Sequence, residues 1–192
     1  MTSQDLGQAD ARESIAAALA DAEPTWITLP GTQEELANEL RAALDDFDAG
    51  ERPAALAARA WLRTQAVDSY QTSRTRLLIA EHRIAGFYSL AAAQVELRQT
   101  DRRRAGFDPV RVPAALVTWI ARDRRAEIDG KLLLLHAAGT ARRAAELQAT
   151  AVLVLDPFDE QTATMWRERF GFRPSAETRK PKRLWLPLEP VG

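Results

Sequence analysis

The chain has no cysteine and only two histidines, His82 and His136, among its 192 residues. Disulfides and thiolate metal sites are thereby excluded, and a multi-histidine metal centre is not expected. No apolar run reaches the length of a membrane span, and the opening MTSQDLGQAD carries neither the basic nor the apolar region of a secretory signal. A soluble, untargeted, cytoplasmic protein without a membrane partner is the expectation. A strong net charge is also missing, the formal value being -1, which argues against a uniformly basic nucleic-acid binder. The balance is nevertheless uneven along the chain. Residues 1–100 hold 9 Lys+Arg against 15 Asp+Glu, and residues 101–192 hold 17 against 12. The C-terminal half is therefore the candidate anion-binding face, with Arg102, Arg103 and Arg104 as its densest basic run.

The 46% hydrophobic content is enough for one real core and leaves no length for a second full domain. Residues 1–24 read as an N-terminal extension with an alanine-rich amphipathic piece at 11–20. Residues 25–29 alternate between Pro24 and Pro30 and predict a short strand. Thr32 and Glu35 form a capping-box pattern ahead of Leu36, Leu40, Leu44 and Phe47 at helical spacing. A second helix is expected from Pro53 to about Ala66, followed by a polar loop to Ser73. Residues 75–81 and 83–95 read as a hairpin turning at His82. Residues 96–108 are charged and aperiodic, as in a loop that can include a helical turn.

A central strand is expected over 110–121, with Pro113 near its start. A helix over 130–148 has Leu132, Leu135, Ala138, Ala141, Ala145 and Leu147 as its apolar side. His136 lies on that helix, with packing or solvation as its expected role. Residues 151–155 form a continuous apolar run, as in a strand covered on both faces. A shorter helix over 159–170 should stop at Gly171, and a last strand is expected over 184–188. The expected class is α/β, a mixed sheet covered by helices.

The stretch RAEIDGKLLLL, residues 125–135, sits between the central strand and the long helix. Backbone amides opening a helix carry partial positive charge, so a turn in this context can hold a pyrophosphate without any side chain. Downstream, VLVLDPFDEQTATMWRERFGFRPS joins an apolar strand to an acidic-capped helix that ends in Arg169-Phe170-Gly171-Phe172. Upstream lie Asp46-Phe47-Asp48-Ala49-Gly50, Ala60-Trp61-Leu62-Arg63, Ser73-Arg74-Thr75 and Ile84-Ala85-Gly86-Phe87-Tyr88-Ser89-Leu90. In this order the pieces resemble the GNAT acyl-CoA N-acetyltransferases, and within them the TacT and AtaT type of toxins from toxin-antitoxin systems, over about residues 25–188. The resemblance implies a GNAT-like domain over 25–192 with a mixed, mostly antiparallel central sheet.

It also implies acetyl-CoA as acyl donor, and the amine of aminoacyl-tRNA as acceptor. The implied partners are tRNA, a ribbon-helix-helix antitoxin and a second copy of the chain in a homodimer. The implied acyl-CoA residues are Ile120, Ala121, Arg122, Arg125, Ala126, Glu127, Ile128, Asp129, Gly130, Lys131 and Trp166. Arg102, Arg103 and Arg104 are the candidate RNA contacts. The family loop reads Gln/Arg-x-x-Gly-x-Gly/Ala. One register puts Arg125 first, with Ile128 and Gly130 in the glycine places; an ungapped register puts Glu127 first, with Gly130 and Leu132 there. The first has more matches and avoids a glutamate facing phosphate, and either one loses a glycine. The family's FYERxGF phrase commonly supplies a tyrosine as general acid, and Arg167 occupies that position. Arginine stays protonated and is not an ordinary proton donor. A catalytically silent GNAT-like binding protein is therefore the alternative to a toxin-type N-acetyltransferase.

Overall fold

The computed structural model describes residues 16–21, 23–32, 36–180 and 182–188. Most of the expected extension, residues 1–15, and Glu35 of the expected capping box lie outside the described residues. The chain divides into two compact units, one made of Met1–Ser89 and Trp119–Leu134, the other of Leu90–Thr118 and Leu135–Gly192.

In the first unit, β1 (Thr25–Thr28) pairs antiparallel with β2 (Arg74–Ala80), placing Thr25 opposite Ile79 and Thr28 opposite Arg76. Helix α1 (Asn38–Asp46) starts later than Thr32 would have it, and its N-cap, Ala37, offers no side-chain cap. Its stripe is as the spacing requires: Leu36, Leu40, Leu44 and Phe47 are all buried. Helix α2 (Pro53–Thr64) opens with its proline in the first turn, and a 3-10 turn, Asp68–Gln71, occupies the expected polar loop. Strand β3 (Arg83–Glu96) follows β2 through Glu81 and His82 at φ 52 and 61, the left-handed pair of a two-residue hairpin turn. His82 stands in that turn, its Nδ1 3.1 Å from the Leu19 carbonyl oxygen. Residues 16–20 are helical, and Ala18 and Leu19 join the core formed by α1, α2 and the hairpin. An aromatic series runs through this core. Phe47 and Trp61 lie 5.5 and 6.0 Å from Phe87, and Trp119 stacks 5.4 Å from Trp61.

In the second unit, the expected loop contains a real helix, α3 (Gln99–Arg104). Asp101 in its first turn and three arginines in its last complement the helix dipole, which compensates for the lack of an apolar stripe. Strand β4 (Arg111–Arg122) starts here and runs parallel to β5 (Val152–Leu155), with Ala114 opposite Val152 and Val117 opposite Leu155. All four β5 residues are buried, as a strand covered on both faces requires. Helix α5 (Glu160–Phe170) is capped by Asp159, whose Oδ1 accepts from the Thr162 amide at 2.7 Å. It ends at Gly171 in the left-handed conformation, φ 73. A two-residue strand, β6 (Arg173–Pro174), was not foreseen and pairs with β7 (Leu184–Pro187). Val95, Val112, Val154 and Trp185 centre this unit's core.

Helix α4 (Gly130–Ala145) corrects the sequence reading in two ways. It ends before 148, leaving Leu147 93% exposed. Its buried side is Leu133, Leu134, Ala137, Ala138 and Ala141, whereas Leu132 and Leu135 face outward. Four consecutive leucines carry no phase, so the stripe could not be placed from spacing alone. Hydrogen bonding orders the strands β1-β2-β3-β4-β5-β7-β6 in one seven-stranded mixed sheet, the expected architecture.

Candidate active site

The chain leaves β4 at Arg122 and enters α4 at Gly130. Asp123 reverses its direction. Its own amide donates to the Ala85 carbonyl at 2.8 Å, and the Arg124 amide donates to the Asp48 carbonyl at 2.8 Å. Ala126 and half-buried Ile128 turn inward and pack with Leu78, Ala80, Ala85 and Leu133, with Ile120 beside them. Ile128 has no positive φ, so its β-branch is not strained in this loop. Arg122 Nη1 donates to the Ala126 and Ile128 carbonyls at 3.4 and 3.1 Å and braces the turn from outside. Glu127 is exposed.

Asp129 caps α4: its Oδ1 accepts from the Lys131 amide at 2.9 Å. Among the described residues none accepts from the amides of Ile128, Asp129 or Gly130. A Cβ at Gly130 would meet only Arg122 Cδ, at 3.9 Å, so the helix entrance is open. Gly86 is different. A Cβ there would come within 2.9 Å of Leu133 and 3.1 Å of the Ala121 carbonyl oxygen. The bare backbone at Gly86 is what lets the first turn of α4 settle on β3.

Arg125, expected beside phosphate, has its guanidinium turned to carboxylates. Nε donates to Asp123 Oδ1 at 2.9 Å and Nη2 to Asp123 Oδ2 at 2.7 Å. Nη1 and Nη2 reach the Asp46 carboxylate at 3.1 and 2.8 Å, and Nη2 also donates to the Asp46 carbonyl at 2.6 Å. Asp123 is 0% exposed and Arg125 36%. Asp123 further accepts from the amides of Asp48, at 2.9 Å, and Arg125, at 2.8 Å. Burial opposes the ionisation of Asp123, but the Arg125 side chain and these two amides outweigh it and keep its carboxyl below the usual range. The hydrogen bond from Arg125 does the same for Asp46, and the Gly50 amide, followed by Arg124, for Asp48. Asp123 and Asp46 together raise Arg125 above its ordinary value. The tie between the 46–50 motif and Asp123 spans 75 positions, which no local sequence pattern announces.

In the second unit, Trp166 is buried against Phe170 and Phe172, with centroids 5.0 and 5.6 Å away. Arg167 lies on the outer side of α5, its Nη2 2.9 Å from both Glu160 Oε1 and Thr164 Oγ1. Arg103 and Arg104 are exposed, while Arg102 Nη1 donates to the Asp108 carbonyl at 2.7 Å. A polar cavity of about 460 Å³ has Glu96, Arg111, Glu177 and Arg179 in its lining. A second arginine node stands at the end of β5. Arg183 makes two 2.7 Å bonds to Asp156, through Nε and Nη2, and reaches Glu177 Oε2 at 3.2 Å. Among the described residues no group of three or more His, Asp or Glu is arranged to hold a metal ion.

The fold, with β4 leading through this turn into α4 and running parallel to β5, is similar to that of solved GNAT toxin structures. The toxin AtaT, solved in complex with acetyl-methionyl-tRNAfMet, is 20% identical with a TM-score of 0.69, over 86% of this chain and 95% of that one. A tyrosine-to-phenylalanine mutant of KacT is 17% identical with a TM-score of 0.67, over 85% and 95% of the two chains. An AtaT mutant bound to acetyl-CoA and the C-terminus of the antitoxin AtaR is 21% identical with a TM-score of 0.63, over 87% and 94%. No family model and no curated protein matches the sequence.

Proposed function

We propose that the chain is a toxin-type N-acetyltransferase that moves an acetyl group from acetyl-CoA to a primary amine, with aminoacyl-tRNA as the acceptor class. The observation that carries this reading is the run of three amides, Ile128 to Gly130, at the mouth of α4, from which none of the described residues accepts. They suit a pyrophosphate, and the fold is one in which AtaT has been solved with acetyl-CoA. Arg122 and Lys131 flank the same turn and add positive charge. The acyl donor supplies an activated thioester; the chain's part is to orient it and to leave the acceptor amine unprotonated and close. With the guanidinium of Arg167 in the place expected for a tyrosine, departure of the thiolate depends on electrostatic stabilisation or on water rather than on a side-chain acid.

For the RNA, exposed Arg103 and Arg104 supply positive charge for phosphate, with Arg102 behind them. AtaT is also known in complex with the antitoxin AtaR, and an antitoxin of the ribbon-helix-helix type, together with a homodimer, completes the proposed partner set.

One observation favours a second reading, a GNAT-like binding protein without turnover. The Asp129 carboxylate already occupies the cap of α4, where it repels a pyrophosphate. Calorimetric titration with acetyl-CoA decides between them. Heat of binding, followed by single-turnover transfer to aminoacyl-tRNA, is expected; no heat and no thermal shift at millimolar ligand rejects the enzyme. Asp129→Asn keeps a capping side chain and removes the charge, so it should tighten acetyl-CoA severalfold. Unaltered affinity would move the pyrophosphate away from this turn.

A further inference from the structure

The family register makes the arginine after the central strand a phosphate ligand, yet every nitrogen of the Arg125 guanidinium fork faces a carboxylate or carbonyl of its own chain. We propose that Arg125 is instead the positioning residue of the acyl-CoA loop. Together with buried Asp123, it staples the loop to residues 46–50 and so aims the amides of Ile128, Asp129 and Gly130. The inference rests on the acetyltransferase reading for its ligand, but not for the staple itself.

Three observations carry it. Asp123 is fully buried and uses both oxygens, accepting from the amides of Asp48 and Arg125 as well as from the Arg125 side chain. The 46–50 segment is fastened at several points: at the Asp46 carbonyl and carboxylate, at the Asp48 amide, and at the Asp48 carbonyl by the Arg124 amide. A second pair, Arg124 Nε to Asp48 Oδ2 at 2.8 Å, reinforces the last of these. The other side of the loop is set by Ala126 and Ile128 in the apolar cluster with Leu133. The backbone from Ile128 to Gly130 is thus suspended between a polar staple and an apolar anchor, with its amides left over. A guanidinium released to phosphate would leave Asp123 buried and short of its cation, which opposes the ligand role.

The test compares the full-length wild type with Arg125→Met, Arg125→Lys and Asp46→Asn. Hydrogen exchange is measured without ligand, and acetyl-CoA affinity by calorimetry. Arg125→Met is expected to speed exchange about tenfold or more at the bonded amides of Asp48, Arg124, Arg125 and Ala126, and Arg125→Lys to restore part of the protection. Asp46→Asn removes only the exposed arm. It should loosen the same amides and weaken acetyl-CoA a few fold while leaving the thermal midpoint nearly unchanged, a pattern that general destabilisation does not produce.

Tighter acetyl-CoA binding by Asp46→Asn would overturn the proposal, because a freed guanidinium would then be acting as a phosphate ligand. Unchanged exchange in both Arg125→Met and Asp46→Asn would overturn it as well. Should Arg125→Met fail to fold, Asp46→Asn still decides by both measurements. If the wild type binds no acetyl-CoA, the acetyltransferase reading fails, and the exchange arm alone decides the staple.

Discussion

The two arginine nodes share a plan and bury opposite partners. After β4, the carboxylate of Asp123 is the inaccessible member and Arg125 covers it from a half-exposed position. After β5, Arg183 is 7% exposed and Asp156, at 38%, is the outer member. The buried charge is the one that cannot be abandoned, because desolvation without a partner is expensive whichever sign is stranded. Redundancy also differs. Asp123 has one cation and two amides, whereas Arg183 has two carboxylates, Asp156 and Glu177, so loss of one leaves it another. The first node is therefore brittle and the second tolerant, although the second has the more symmetrical pair of short bonds.

The largest expected difference comes from removing the outer member of each. Arg125→Met should cost about 3 kcal/mol in a denaturation titration, at the low end for a broken buried pair because two amides remain on Asp123. Asp156→Asn should cost about 1–2 kcal/mol, since Glu177 still faces Arg183 and an amide still accepts from it. Equal losses, or the reverse order, would break the distinction between brittle and tolerant.

Acid provides the next test. Asp46, Asp123 and Asp156 all have carboxyls held below the ordinary range, and for Asp123 and Asp156 the arginine bonds achieve this against burial. A depressed folded value means stability that is complete above the unfolded value and lost as pH falls through the folded one. Thermal midpoints should hold down to about pH 5 and decline below about pH 4. The decline should be shallower in Arg125→Met, which removes the main cause of two of the three shifts; an unaltered slope would put the acid sensitivity elsewhere. The smallest effect is expected from Asp46→Asn, below about 1 kcal/mol and erased by salt, because that arm of the node is exposed. A salt-insensitive loss would instead make Asp46 part of the buried pair.

How far the sequence could be read follows the range of each interaction. The hairpin at His82, the Asp159 cap and the Gly171 stop were legible because each is decided within a few residues, although the turn also takes in Glu81. The order of motifs was legible too, and with it the sheet. Helix α3 was harder, since charge complementarity over six residues leaves no apolar period. The face of α4 was lost in the leucine run, and its phase is set by Gly86, more than forty positions away. The loop after β4 was located correctly, but the occupation of Arg125 depends on Asp46, whose proximity no local pattern announces. What escaped was pairing at a distance between residues that look, one by one, like ordinary surface charges.

Gly86 has a further consequence. Since a side chain there would strike both Leu133 and the Ala121 backbone, the separation between strand and helix is written into a position outside the turn that joins β4 to α4. The turn can then carry a branched side chain, Ile128, packed in the cluster with Leu133, and keep its place in space. The letters of the turn are thus less constraining for the architecture than the size of the residue at position 86.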